Sequence, residues 1–135
     1  MCYLEDLNSQ TNLKIFLIDD DPSILSIYSK LLRKNGYFTI TASCAADALE
    51  IIDRGLTQVN VIVSDINMPD LNGFDLHRQV EARNSELAKK IIFITGGIYT
   101  EEMKALSSRL PNLTLNKPVN IEALLQAITQ VMRVP

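Results

Sequence analysis

Short apolar runs rich in β-branched residues alternate along this chain with stretches whose apolar positions recur at helical spacing. Lys14-Ile15-Phe16-Leu17-Ile18 predicts a first strand. Asp21-Pro22 then places an N-cap side chain ahead of a proline at the first helical position, and Ile24, Leu25, Ile27, Tyr28, Leu31 and Leu32 continue as a helix that stops at Asn35-Gly36. Phe38 to Ala42 predicts a second strand, and Ser43 a cap for a helix carrying Ala45, Ala48, Leu49 and Ile52 and ended by Gly55. Val59 to Ser64 predicts a third strand. A loop with Pro69, Asn72 and Gly73 leads from it into a helix through Phe74, Leu76 and Val80, on which His77, the only histidine, is expected to be exposed. Ile91 to Thr95 predicts a fourth strand, broken by Gly96-Gly97, and Thr100 caps a short helix with Met103 and Leu106 inward. Leu113 to Asn116 predicts a brief fifth strand, and Asn120 caps a last helix presenting Ile121, Leu124, Leu125, Ile128 and Val131 or Met132.

Five strand–helix units in succession imply a doubly wound α/β domain, a five-stranded parallel sheet with helices on both faces. Near-continuous apolar strands are what a sheet covered on both sides requires. The domain is expected over residues 14–133, with the polar residues 1–13 as a lead-in or the stub of a linker.

Composition narrows the class. The chain has 135 residues, 47% hydrophobic and 21% charged, ordinary for one globular domain. Thirteen basic against sixteen acidic residues leave a net charge of −3, so there is no basic surplus to neutralise a phosphate backbone, and nucleic acid is not an expected direct partner. No apolar run reaches the roughly 18 residues of a membrane span, and the N-terminal residues lack the pattern of a signal peptide. Cys2 and Cys44 show no metal-ligand spacing. A cytoplasmic location is expected.

In open α/β sheets, ligands bind at the carboxyl ends of the strands, where strand order reverses. The residues there are unusual. The first strand ends in Asp19-Asp20-Asp21, the third in Asp65, the fourth in Thr95 and the fifth in Lys117. In the order 2-1-3-4-5 the first and third strands are neighbours, so Asp19, Asp20 and Asp65 share one pocket. Two carboxylates about 4 Å apart repel by roughly 4 kcal/mol at an effective dielectric near 20, so the cluster calls for cations. Lys117 supplies one positive charge, and Mg²⁺, a hard cation that favours oxygen ligands, fits the remainder. A carboxylate beside a metal, a lysine and a threonine hydroxyl is equipped for phosphoryl transfer with the carboxylate as nucleophile. Asp21 reads simply as a helix cap.

With those residues in place, the chain resembles the receiver domains of bacterial two-component response regulators, over roughly residues 13–133. The matching stretches are Ile15-Phe16-Leu17-Ile18-Asp19-Asp20-Asp21-Pro22, the run Val61 to Gly73, Ile92-Phe93-Ile94-Thr95-Gly96 and Leu115-Asn116-Lys117-Pro118. The resemblance implies a flavodoxin-like fold with strand order 2-1-3-4-5 and five helices. It implies that Asp65 accepts a phosphoryl group from a histidine kinase or histidine phosphotransfer domain. Asp20 and Asp65 would bind Mg²⁺, with the backbone carbonyl of Asn67, and Asp19 through water. Thr95 and Lys117 would hold the phosphoryl group, and the Lys117–Pro118 bond would be cis. Gly96 and Gly73 are structural on this reading, Gly73 for loop geometry at positive φ. The implied partners are the kinase, a downstream protein or tethered domain, and a second copy in a homodimer. The surface formed by Met103, Lys104, Ser107, Arg109 and the helix 121–132 would meet them. Chemistry would be confined to self-phosphorylation and autodephosphorylation.

Two positions depart from the family pattern. Members often carry an aromatic residue three before the lysine, where this chain has Thr114, which shifts the expected signal route to backbone movement around Gly96-Gly97. Gly97, two after Thr95, leaves water's approach open on that side. Other functions fit less well. An aspartyl phosphatase needs a second acid two residues after the nucleophile, where Asn67 stands, and flavin phosphate would be repelled by three aspartates. The alternative that stays open is a receiver-like interaction module that is never phosphorylated.

Overall fold

A computed structural model describes residues 13–55, 58–96 and 100–133. The elements run β1 (Lys14–Ile18), α1 (Pro22–Lys34), β2 (Phe38–Ala42), α2 (Ala45–Arg54), β3 (Val61–Asp65), α3 (Gly73–Arg83), α4 (Ser85–Ala88), β4 (Ile91–Thr95), α5 (Glu101–Arg109), β5 (Thr114–Asn116) and α6 (Ile121–Arg133). All strand pairs are parallel, in the order β2-β1-β3-β4-β5.

Side-chain alternation along the strands splits the core into two layers. Phe16, Ile18, Ile62, Ile91 and Phe93 pack with Ala45 and Ala48 of α2 and Phe74, Leu76 and Val80 of α3. Ile15, Leu17, Val61, Val63, Ile92 and Ile94 face Leu25 and Leu32 of α1 and Leu124, Ile128 and Val131 of α6. Every residue of β3 and β4 is buried. The central strands are therefore rigid rails, and what they carry at their ends is held firmly. By contrast α5 has no fully buried residue, and Met103 and Leu106 are only partly covered.

Several expectations are corrected. There are six helices among the described residues rather than five: Asn84 adopts an extended backbone (φ −158°, ψ 96°), ends α3, and accepts the Leu87 N–H to start the single turn α4. The third strand begins at Val61 rather than Val59, because Asn60 turns its side chain into the sheet edge and accepts the Lys14 N–H at 2.8 Å. The cap of α2 is Cys44 rather than Ser43, its Sγ 3.5 Å from the Asp47 N–H. Thr100 does cap α5, accepting from Met103 at 3.0 Å.

His77 is buried, not exposed, at 6% accessibility, with its ring centroid 6.1 Å from that of Phe93. Its place three residues after Phe74 and three before Val80 puts it on the apolar stripe of α3. Burial lowers its pKa, and Glu81 and Asn112 oppose this only in part. A histidine held below its unfolded value is stabilising while neutral, and that contribution is lost as pH falls from the unfolded value of about 6.5 through the lower folded one. Urea unfolding across that interval should show wild type losing stability relative to His77→Gln; parallel curves would contradict it.

Candidate functional site

The register brings four chemically active side chains to one edge of the sheet. Asp19 follows β1, whose Ile18 lies beside Ser64 of β3; Asp65 ends β3 beside Ile94 of β4; Thr95 ends β4 beside Asn116; and Lys117 follows β5. Asp19 and Asp65 are each 5% exposed, and Thr95 is also buried. Carboxylate oxygens of Asp19, Asp20 and Asp65 all lie within 4.8 Å of one another. Lys117 bridges two of them, its Nζ 3.1 Å from Asp19 Oδ2 and 3.1 Å from Asp65 Oδ2. The second oxygen of each buried acid is fixed by backbone: Asp19 Oδ1 accepts the Asp21 N–H at 2.9 Å, and Asp65 Oδ1 accepts the Asn67 N–H at 3.0 Å. Asp20 is exposed and, among the described residues, its carboxylate has no hydrogen bond or ion pair. Asp21 is the cap of α1, accepting the Ser23 N–H at 2.9 Å.

Burial is the largest influence on Asp19 and raises its pKa, with the Asp65 charge adding to it while the Asp21 N–H and Lys117 pull the other way. For Lys117 burial alone would lower the pKa, but Asp19 and Asp65 together outweigh it and raise the value. The pocket thus holds a firmly protonated lysine and more acid than that lysine can balance. Such a donor set fits a hard divalent cation: several anionic oxygens close together, and Asp20 with both of its own uncommitted. Thr95 Oγ1 is buried and has no hydrogen-bond partner among the described residues. A buried hydroxyl in that condition costs free energy unless something else binds it, so it also fits an incoming oxyanion.

The surrounding loops are built to hold this geometry. The Lys117 N–H donates to the Thr95 carbonyl at 2.8 Å, the Lys117–Pro118 peptide is cis, and the Tyr28 hydroxyl donates to the Val119 carbonyl at 2.6 Å. A Cβ on Gly96 would lie 2.7 Å from Lys117 Cβ and 2.8 Å from its Cδ. Gly96→Val is therefore expected to push the lysine stem off its course at a cost of about 1–3 kcal/mol, read by urea denaturation; unchanged stability would contradict this packing. The reason for Gly73 differs from the expected one. The described glycines with positive φ are Gly36 and Gly55, whereas a Cβ on Gly73 would sit 3.0 Å from both the Asp65 carbonyl oxygen and Ile66 Cα. Close approach, not backbone handedness, requires glycine there.

Thr114 begins β5 and is half-buried. Gly97 and the lead-in residues 1–12 lie outside the described residues. One participant escaped the sequence reading. Asp70, in the loop after β3, accepts the N–H groups of Ala45 at 3.3 Å and Ala46 at 2.9 Å, at the start of α2. Its partner lies 25 residues back in the chain, and no local spacing signals such a bond.

Comparison with known proteins agrees with the fold. The family model described as the response regulator receiver domain matches residues 15–129. The two-component response regulator ORR24 of rice (Oryza sativa subsp. indica) is 30% identical over 122 residues, covering 90% of this chain and 19% of the relative. The sensor histidine kinase RcsC of Salmonella typhi is 26% identical over 121 residues, covering 90% of this chain and 12% of that protein. Among solved structures, a response regulator receiver domain protein from Clostridium thermocellum superimposes with a TM-score of 0.80 at 28% identity, covering 90% of this chain and 94% of the other. The curated relatives come from plants as well as bacteria, so the expectation of a specifically bacterial protein is not upheld by the likeness. The chain spans only between 11% and 26% of the length of the curated relatives it matches. This chain belongs to the response regulator receiver domain family.

Proposed function

We propose that the chain is the phosphoacceptor switch of a two-component phosphorelay, with Asp65 receiving a phosphoryl group from the histidine of a kinase or phosphotransfer partner. The observation that carries this reading is the bridging of Asp19 and Asp65 by Lys117, 3.1 Å from each, beside the uncommitted carboxylate of Asp20. In the transfer, an Asp65 carboxylate oxygen attacks phosphorus, the P–N bond to the donor imidazole breaks, and the imidazole leaves with the electron pair. Hydrolysis of the resulting acyl phosphate returns inorganic phosphate and the carboxylate. Asp20, Asp65 and the Asn67 carbonyl would hold Mg²⁺, with Asp19 acting through water. Bound there, the ion would neutralise charge on the carboxylates and on the transferred phosphoryl oxygens.

Lys117 would screen the incoming anion and then pair with the phosphoryl group, while the Thr95 hydroxyl donates to one of its oxygens. Movement of Thr95 biases the segment that follows it, and α5 is the one described helix with no fully buried residue to resist. The surface of α5 and α6, with Met103, Lys104, Ser107 and Arg109, would therefore report the phosphorylated state to a downstream protein, a tethered domain or a second copy. The phosphorylated unit is taken as residues 14–133. Such a domain turns over only its own phosphoryl group and is not a conventional enzyme. No described helix is long and apolar enough to cross a membrane; a cytoplasmic setting with its kinase is part of the proposal.

Borohydride reduction of the phosphorylated chain, followed by peptide mapping, tests the acceptor. The acyl phosphate is expected to be reduced to homoserine at position 65. Label at another carboxylate would reassign the acceptor, and absence of any label with both acetyl phosphate and a phosphohistidine donor would favour the unphosphorylated interaction module.

A further inference from the structure

The loop from Ile66 to Asn72 carries the Asn67 carbonyl; Met68 and Leu71 pack it against the core, but few hydrogen bonds tie it to other elements. Its ends are anchored. The Ile66 N–H donates to the Ile94 carbonyl at 2.9 Å, the Asn67 N–H to Asp65 Oδ1, and the Gly73 N–H to the Ile66 carbonyl at 2.8 Å. At the far end Asn72 caps α3 by accepting the Asp75 N–H at 2.8 Å. Between Asn67 and Asn72, among the described residues, the one hydrogen-bonded tie to another element is the carboxylate of Asp70. It takes both the Ala45 and Ala46 N–H groups with its two oxygens.

That tie completes the start of α2. The four N–H groups at a helix start have no partner within the helix. Here Asp70 takes those of Ala45 and Ala46 and Cys44 Sγ that of Asp47, while the Ala48 N–H makes the first i→i−4 bond of the helix, to the Cys44 carbonyl. Burial would raise the pKa of Asp70, but the N–H groups of Ala46, Ala45, Asp70 itself and Leu71 together outweigh it and lower the value. Negative charge at a helix start is also favoured by the helix dipole.

We propose that Asp70 is a positioning residue for the cation site: by clamping the loop to the start of α2, it fixes the Asn67 carbonyl in place for the metal and couples metal binding to the first turn of α2. The inference rests on the Mg²⁺-dependent reading above. Because coupling between sites is reciprocal, the ion should tighten the clamp as the clamp tightens the ion.

The test is Mg²⁺ titration of the whole chain followed by amide NMR, on wild type, Asp70→Ala and Asp70→Asn, with hydrogen exchange at Ala45 and Ala46. Asp70→Ala is expected to weaken Mg²⁺ about ten-fold, at the lower end for groups that orient a metal ligand. Asp70→Asn, which keeps one acceptor oxygen, should fall between. Mg²⁺ should slow exchange at Ala45 and Ala46 in wild type and leave it unchanged in Asp70→Ala. Faster exchange in the variants with an unaltered Mg²⁺ midpoint would make Asp70 a helix cap only and overturn the inference while sparing the functional reading. If wild type shows no Mg²⁺ binding, both fall together.

Discussion

Lys117→Met should destabilise the fold by about 2–3 kcal/mol at neutral pH, somewhat below the usual loss when one partner of a buried ion pair is removed, because the lysine keeps some solvent contact. Methionine preserves most of the stem that packs against Gly96 and removes only the charge. What remains are Asp19 and Asp65, both buried, with no cation between them. The pH dependence identifies the cause. Asp19 already has a raised pKa from burial and from Asp65, and losing Lys117 removes one of the influences that lower it. A carboxyl whose folded pKa lies above its unfolded value is stabilising when protonated, and that contribution is lost as pH rises through the folded pKa. The deficit of the variant against wild type should therefore be smallest near and below the unfolded value of about 4 and grow above it. A deficit independent of pH in urea denaturation would assign the lysine a packing role instead.

Phe93→Ala should cost about 3–5 kcal/mol, the range for removing a fully buried aromatic side chain. Phe93 is 1% exposed on the interior strand β4, with its ring centroid 5.0 Å from Phe74 and 6.1 Å from His77. It is also 3.4 Å from where a Cβ on Gly73 would stand, so it supports the turn that closes over Asp65. The contrast is Phe38, 55% exposed on the edge strand β2. Phe38→Ala should cost less than about 1 kcal/mol, since it leaves no cavity. Equal losses for the two variants, measured by urea denaturation, would mean that the core is not organised around β4.

The contrast between these phenylalanines also shows what the sequence conveys and what it hides. Both stand in β-prone runs, and nothing local distinguishes an edge strand from a central one; the sheet order does. The run Ile91 to Thr95, apolar without alternation, could be read as a doubly covered strand because burial on both faces leaves no polar positions. The site was legible for a related reason. Parallel strands deliver their carboxyl ends to one edge, so Asp19, Asp65, Thr95 and Lys117 could be placed together from position alone. What stayed hidden depends on side chains reaching across the chain or replacing backbone partners. Asn60 takes over a ladder bond and shortens β3, Asn84 splits a helix, and Asp70 caps a helix it does not belong to. His77 was legible in principle, since Phe74 and Val80 flank it at helical spacing, but its polarity masked its position on the stripe. Gly73 shows the remaining limit: a glycine required by close approach looks the same in sequence as one required by positive φ.

The most direct test of the central claim is the intact mass of the chain after incubation with acetyl phosphate, with and without Mg²⁺, beside an Asp65→Asn control. The absence of tryptophan makes mass a better probe than intrinsic fluorescence. A single phosphoryl adduct that requires both Mg²⁺ and Asp65 is the predicted result. An adduct that persists in Asp65→Asn, or one that forms equally without Mg²⁺, would contradict the account.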